Sequence, residues 1–170
     1  DGTVTLLTGT YDMGQGHGTS FPQVAAAKLG LPVERFRVLQ GDSDQLVFGA
    51  GTGGSRSIMM SGAAIVQASA LVVVKGKALA AEALETAAAD IEFRDGRFVV
   101  AGTDKAIGLL ELARRFPGRL DVTHVTEAIA SAFPNGCHVC EVEIDPDTGR
   151  VEVVDIACAD DVGRIINPMI

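Results

Sequence analysis

Two stretches of the chain carry residues whose types and spacing could hold a ligand. The first is Asp12-Met13-Gly14-Gln15-Gly16-His17-Gly18-Thr19-Ser20, set between a strand-like and a helix-like segment. Its glycines let backbone approach a ligand closely and adopt positive φ. A helix N-terminus beyond them presents unpaired N–H groups suited to a phosphate. Gln15 adds an amide with both donor and acceptor, as recognition of a heterocycle or an oxo group requires. An ordinary glycine-rich connection explains this local pattern equally well. The second stretch is Gly49-Ala50-Gly51-Thr52-Gly53-Gly54-Ser55-Arg56-Ser57, again opening onto a helix. Gly49, Gly51 and Gly54 satisfy G-x-G-x-x-G in form. The dinucleotide reading fails on context, because no strand leads tightly into the motif and no acid follows before Glu82, where one is wanted about 20 residues on. No Gly-Lys-Ser/Thr follows, so it is not a P-loop. What remains is an anion cradle of glycine backbone, the Ser55 and Ser57 hydroxyls and a helix N-terminus. Arg56 either adds charge to it or serves as a solvated or internally paired arginine.

The other reactive residue types carry less. Cys137-His138-Val139-Cys140 has the C-x-x-C form, but positions three apart on a strand point to opposite faces and cannot easily share a metal. It also lacks the histidine after the second cysteine that haem attachment needs. Packing of small thiols is the expected role of Cys137, Cys140 and Cys158. A loop histidine such as His17 is more often a hydrogen-bonding group than an acid, base or ligand, and His124 shows no partner pattern. The acids near the C-terminus alternate with Val and Ile, which suits a solvated strand face better than calcium binding. No Ser-His-Asp or paired-carboxylate constellation is present, so no catalytic residue and no metal ligand is assigned.

The elements that must position these residues follow from periodicity. Val4–Thr10 alternates as a half-buried strand. Ser20 is placed to cap a helix running to Leu29, with Phe21 and Pro22 in its first turn and Gly30 as its stop. Arg35–Gln40 alternates again, and Gly41–Ser57 reads as a long loop of the kind that is usually functional or mobile. Ile58 to about Ala89 is an Ala-rich helix in which Gly62 and Gly76 mark a break or a close contact. Asp95-Gly96 joins Ile91–Arg94 to Arg97–Val100 as a hairpin. A short helix is expected over Ile107–Phe116, ended by Pro117-Gly118, and a strand over Val122–Glu127. A last hairpin pairs Cys137–Ile144 with Arg150–Ala159. Strands and helices in this irregular order indicate an α+β fold with one long helix and two hairpins.

At the scale of the chain, 170 residues with 47% hydrophobic content suffice for a core and exclude general disorder. The 14 Lys and Arg against 22 Asp and Glu give a net charge of −8, of which the segment from Glu141 onward, with eight acids and two arginines, holds −6. With no basic stripe, nucleic acid and anionic membrane are poor partners. Three cysteines make no disulfide framework and suit a reducing, cytoplasmic compartment. The apolar run around Ala63–Val74 is interrupted by Gln67 and Ser69, so no membrane span is expected. The abrupt ends, Asp1-Gly2-Thr3 and Pro168-Met169-Ile170, suggest a piece of a longer polypeptide.

Taken together, these segments resemble the molybdenum-cofactor subunit of the xanthine dehydrogenase and aldehyde oxidase family. The likeness rests on Met13-Gly14-Gln15-Gly16-His17, Gln40-Gly41-Asp42-Ser43-Asp44 and Thr52-Gly53-Gly54-Ser55-Arg56-Ser57. It continues through Phe133-Pro134-Asn135-Gly136, Glu141-Val142-Glu143-Ile144-Asp145, Asp160-Asp161-Val162-Gly163-Arg164 and Ile166-Asn167-Pro168, so residues 1–170 resemble one internal fragment of that subunit. The Ser55-Arg56-Ser57 form is similar to carbon monoxide dehydrogenase-like and bacterial aldehyde-oxidising members. The resemblance implies that Met13, Gly14, Gln15 and Gly16 lie against the molybdopterin and its metal's oxo group. It implies that Thr52, Gly53, Gly54, Ser55, Arg56 and Ser57 hold the pterin and its phosphate, in mononucleotide or cytosine dinucleotide form.

The same resemblance implies a molybdenum hydroxylase. Such an oxidoreductase oxidises an aldehyde, an N-heterocycle or a similar small substrate with oxygen from water. Electrons pass to 2Fe-2S centres and FAD on partner subunits or domains, in an oligomeric assembly. Its general base, a glutamate, is implied downstream of the Asn-Pro segment and beyond Ile170, so the fragment alone is expected to be inactive. A phosphate- or nucleotide-binding module unrelated to molybdenum is the alternative from the residues alone. Stoichiometric molybdenum in the parent separates the two.

Overall fold

A computed structural model describes residues 2–46, 48–127 and 130–170, which cluster into two compact units, 1–129 with 169–170 and 130–168. Residue 47, within the expected 41–57 loop, lies outside the described residues.

The larger unit opens with a β-α-β arrangement. Strand β1 (Val4–Thr8) and strand β2 (Phe36–Gln40) pair in parallel with Val4 opposite Phe36 and Thr8 opposite Gln40. Helix α1 (His17–Leu29) connects them. It starts three residues before Ser20, because Gly16 takes the cap position in a left-handed conformation at φ 77°. The Ser20 hydroxyl donates back to the Gly16 carbonyl at 3.1 Å, so the serine is not the cap and Pro22 falls inside the helix. Phe21, Ala25 and Leu29 recur at four-residue spacing and are buried against helix α2 (Ser57–Leu84). Gly30, at φ 59°, stops α1 as expected, its N–H reaching the Ala26 carbonyl at 2.9 Å.

Helix α2 runs unbroken for 28 residues, five fewer at its C-terminal end than its alanine content suggested. Gly76 is a close contact rather than a break: a Cβ there would sit 2.1 Å from the Phe98 ring. That ring belongs to an antiparallel sheet of β3 (Ile91–Arg94), β4 (Arg97–Val100) and β5 (Ala106–Gly108). Asp95 and Gly96 join β3 to β4 with φ of 46° and 73°, the doubly positive turn that matches strand twist. The expected helix over Ile107–Phe116 divides in two. Residues 106–108 pair with β4, and only Leu109–Arg115 forms a helix, α3. Ile91, Phe98, Ile107, Leu109 and Leu112 close the core beneath α2.

The expected strand over Val122–Glu127 does not form. Its alternation is present, with 122, 124 and 126 half-buried and their neighbours exposed, but the segment lies along a helix instead of another strand. Lys75 of α2 donates to the Asp121 carbonyl at 2.7 Å, and the Gln67 amide oxygen meets His124 and, at 3.1 Å, the Thr126 hydroxyl. Burial alternation reports a half-covered extended chain whatever covers it.

The smaller unit is one ribbon of β6 (Asn135–Ile144) and β7 (Val151–Asp161), slightly longer at its open end than expected and bulged between Glu141 and Val142. Asp145 shapes its turn by accepting the Thr148 and Asp147 amides at 3.1 and 2.8 Å, and these bonds hold its carboxyl below the usual value. Alternation puts Cys140, Val142, Ile144, Val151, Val153, Ile156 and Cys158 on one face and Glu141, Glu143, Glu152 and Asp155 on the other. Both faces are exposed, so the three cysteines are free and exposed, contrary to the packed role expected of them. A two-stranded ribbon has no second layer in which to bury a thiol.

Candidate functional site

The site is built where the two glycine-rich stretches meet in the larger unit. Residues 9–16 leave β1, residues 48–56 lead into α2, and their backbones touch. A Cβ on Gly9 would lie 2.4 Å from the Phe48 carbonyl, one on Gly49 would lie 3.0 Å from Gly9 Cα, and the Gly51 N–H donates to the Gly9 carbonyl at 3.0 Å. Only glycine permits that approach.

Thr52 latches the pair. Its hydroxyl donates to the Tyr11 carbonyl at 2.6 Å and accepts the Tyr11 N–H at 3.0 Å. Ser57 reaches the same hydroxyl at 3.5 Å. Gln15 joins from the other side: its Nε2 donates to the Tyr11 carbonyl at 3.1 Å and its Oε1 accepts the Met13 N–H. Gln15 and Ser57 are thus linked through Tyr11 and Thr52 although 42 positions separate them in sequence. The amide of Gln15 shapes its own turn and keeps one N–H and one lone pair for another partner. Neither Gly9 nor Tyr11 stood out from the sequence; a single glycine after a strand and a lone tyrosine give no spacing signal.

The two helix N-termini at this junction differ. At α1, Asp12 accepts the Gly14 N–H at 2.8 Å through Oδ1 and the Gly18 N–H at 3.3 Å through Oδ2. The Thr19 and Ser20 amides both turn to the Gly16 carbonyl, at 3.1 and 3.0 Å. The amide of Gly14 and those of Gly18 and His17, with the His17 ring, hold the Asp12 carboxyl below its ordinary range. Asp12 therefore occupies two amides of the expected cradle at α1, those of Gly14 and Gly18.

At α2 the first intrahelical bond runs from Met60 N–H to the Arg56 carbonyl. Among the described residues, the N–H groups of Ser57, Ile58 and Met59 have no partner, no side chain caps the helix, and no acid lies in its first turn. Ser55 sits at φ 51°, a left-handed conformation uncommon outside glycine. Beside Gly14, Gly51, Gly53 and Gly54 an added Cβ would meet nothing within 4 Å. These open glycine flanks, free amides, the Ser55 hydroxyl and the Arg56 guanidinium fit a flat ligand with an anionic group.

Behind the junction lies a buried polar cluster. Gln40 Nε2 reaches the Thr8 and Thr10 hydroxyls at 2.9 and 2.8 Å and His17 Nδ1 at 3.3 Å. The His17 ring stacks on Phe21 with centroids 4.6 Å apart. His17 is thus the hydrogen-bonding residue its loop position suggested, holding the start of α1 to both strands. Its Nε2 is buried without a partner among the described residues.

Among the described residues no group of three or more His, Cys, Asp and Glu could hold a metal ion. Helix α2 is long and apolar enough to cross a membrane by length and composition, because its interruptions are too few to break an apolar window.

Comparison with known proteins identifies the family of the chain. A profile of the molybdopterin cofactor-binding domain matches residues 1–170. The carbon monoxide dehydrogenase large chain of Hydrogenophaga pseudoflava is 35% identical over 99% of this chain and 22% of its own length. The nicotine 6-hydroxylase large subunit of Paenarthrobacter nicotinovorans is 34% identical over 99% and 22%. Among solved structures, a Cu,Mo-CO dehydrogenase in its carbon monoxide-reduced state superposes with a TM-score of 0.80 at 33% identity, over 98% of this chain and 22% of that one. Quinoline 2-oxidoreductase from Pseudomonas putida 86 gives 0.73 at 32% identity, over 99% and 23%. The chain spans about 22% of the length of the first of these relatives. Over all 170 residues, the chain belongs to the molybdopterin cofactor-binding domain family.

Proposed function

We propose that this chain forms one wall of the cofactor site of a molybdenum hydroxylase. The observation that carries the reading is the Thr52–Tyr11 latch, which brings two glycine-rich loops to one junction with open flanks and free helix amides. Met13, Gly14, Gln15 and Gly16 would line the pterin on one side. Thr52, Gly53, Gly54, Ser55, Arg56 and Ser57 would hold its phosphate on the other, as mononucleotide or cytosine dinucleotide. Bound there, the cofactor supplies two-electron oxidation of a carbon centre with oxygen from water. The residues of this chain bind and orient: Gln15 presents its remaining amide hydrogen, and the α2 amides stabilise negative charge.

The relatives' names include carbon monoxide, nicotine and quinoline oxidations, and we extend to this chain an aldehyde, N-heterocycle or similarly small substrate. Iron–sulfur and flavin partners, an oligomeric assembly and a cytoplasmic setting complete the reading.

Metal analysis of the full-length protein tests it. Stoichiometric molybdenum is expected, with content and turnover both lowered in Gln15→Ala. That variant frees the Tyr11 carbonyl and the Met13 amide together and withdraws a bond to the ligand. Bound nucleotide without molybdenum would favour a phosphate-binding module instead.

A further inference from the structure

We propose that Gln40 is a positioning residue for the site: its amide nitrogen clasps the two ends of the loop that carries Tyr11 and Gln15, and so holds that loop in the form it offers a ligand. The inference rests on the proposed cofactor site for what the loop binds. The clasp itself rests on this chain alone.

Residues 11–16 form a loop bracketed by Thr10 and His17. Both brackets reach the same atom. Gln40 Nε2, on the last residue of β2, lies 2.8 Å from the Thr10 hydroxyl and 3.3 Å from His17 Nδ1. Thr8, at the end of β1, is its third partner at 2.9 Å. The Thr8 and Thr10 hydroxyls are 3.0 Å apart and so crowd one side of the nitrogen. They share one of its two hydrogens, which leaves the other for His17. An amide nitrogen offers no lone pair, so His17 Nδ1 is the acceptor.

Burial makes this clasp matter. The bonds that shape the loop from within, between Gln15 and Met13 or Tyr11 and between Asp12 and Gly14 or Gly18, are exposed. Both Thr52 bonds to Tyr11 are exposed too. Water competes for each of them. The clasp is shielded: Thr8, Thr10 and His17 are only 7%, 8% and 3% exposed, and the His17 ring stacks on Phe21. An apolar side chain at position 40 would strand two hydroxyls and an imidazole nitrogen at the base of the loop. Gln40 thus acts through Thr10 and His17 on their chain neighbours Tyr11 and Gly16. From there it acts on Gln15, whose amide donates to the Tyr11 carbonyl.

The test compares full-length proteins carrying Gln40→Met, His17→Phe, Thr10→Val and Thr10→Ser. Gln40→Met keeps the side-chain length without the hydrogens, and His17→Phe keeps a stacked ring without Nδ1. Thr10→Ser keeps the hydroxyl that Thr10→Val removes. Hydrogen exchange is followed by mass spectrometry on cofactor-free protein, for peptides spanning residues 11–16, with α2 and the β3–β4 hairpin as references. Loop exchange is expected to quicken about tenfold in the first three variants and to stay at the wild-type rate in Thr10→Ser, with the references unchanged. Gln40→Met combined with His17→Phe is expected to do no more than either alone, because both break one bond. Molybdenum content of protein made with the cofactor is expected to fall in the same three variants and to recover in Thr10→Ser.

Wild-type loop exchange in folded Gln40→Met overturns the clasp. Equal quickening in the loop and the references makes Gln40 a residue of the fold at large and overturns the positioning role. Should Gln40→Met fail to fold, Thr10→Val against Thr10→Ser decides by the same readouts. A loosened loop with wild-type molybdenum content also overturns the positioning role. Wild-type protein that never holds molybdenum removes the cofactor reading, while loop exchange still decides the clasp.

Discussion

Two glycines on the same helix should respond to alanine with opposite signs. Glycine inside a helix ordinarily costs about 0.5–1 kcal/mol relative to alanine. At Gly62 an added Cβ would meet only the Ile58 side chain, at 3.5 Å, which is ordinary contact. Gly62→Ala should therefore stabilise by about that amount. At Gly76 the Cβ would fall 2.1 Å from Phe98 Cζ, and that ring is fully buried with no room to retreat. Overpacking there should outweigh the propensity gain, so Gly76→Ala should destabilise by about 1–3 kcal/mol. Denaturant midpoints of the two variants check the signs, and a stabilised Gly76→Ala would mean that Phe98 can move. Asp12 has its own signature. Its folded carboxyl titrates below the unfolded 3.8, so the stability it contributes is present above that value and is lost as pH falls through the lower folded one. Protection of the Gly14 and Gly18 amides, measured against their intrinsic exchange rates, should fall over that acid window, and Asp12→Asn should remove the dependence.

Among the elements, the Thr52 latch is the one on which the site depends. Thr52→Val keeps the shape and removes a hydroxyl that bonds twice to Tyr11, while Thr52→Ser restores it. The lost bonds are exposed and net about 0.5–1.5 kcal/mol each. Melting should therefore shift little in Thr52→Val, whereas molybdenum content should fall and recover in Thr52→Ser. Equal metal content in all three proteins would show that the loops need no latch.

The sequence made some elements plain and hid others for identifiable reasons. Asp95-Gly96 announced its hairpin because the turn demands two positive φ angles, and Gly30 announced the end of α1 for the same cause. The start of α1 was obscured because Gly16 caps through its backbone, leaving Ser20 as a more visible but mistaken signal. Residues 122–127 show why alternation overcalls strands: the pattern records one covered side, and here a helix supplies the cover. At the site, both glycine-rich loops were legible by composition. Their meeting was not, because Gly9 and Tyr11 act through their backbone and Thr52 through a hydroxyl bonded to that backbone, and no spacing encodes either. Nor did the motif reveal that Asp12 accepts the Gly14 and Gly18 amides.

For the whole molecule, the decisive quantity is how much apolar surface the chain leaves uncovered. Only 17% of the most apolar stretch of α2 is buried, and its outward stripe carries Ala70, Leu71, Val74 and Ala78. The ribbon of the smaller unit exposes a second apolar face, including Val142, Ile144, Val153 and Ile156. A two-stranded ribbon is marginal by itself in water, and contiguous apolar patches of this kind ordinarily mark surfaces that pack on something. On the other face of the ribbon Glu143 lies opposite Glu152 and Glu141 opposite Asp155, like charges that destabilise the pair further. The 170 residues produced alone should therefore self-associate. They should also be catalytically silent and hold no molybdenum, since a ligand gripped from one wall gains neither desolvation nor orientation. Light scattering, metal analysis and an assay with aldehyde and purine substrates plus an artificial acceptor test these expectations together. Leu71→Glu combined with Val74→Glu should reduce the association while leaving helical content unchanged, which ties the effect to the α2 stripe. A monomeric wild-type chain, or one that turns over with stoichiometric metal, would show that these surfaces are sufficient as they stand.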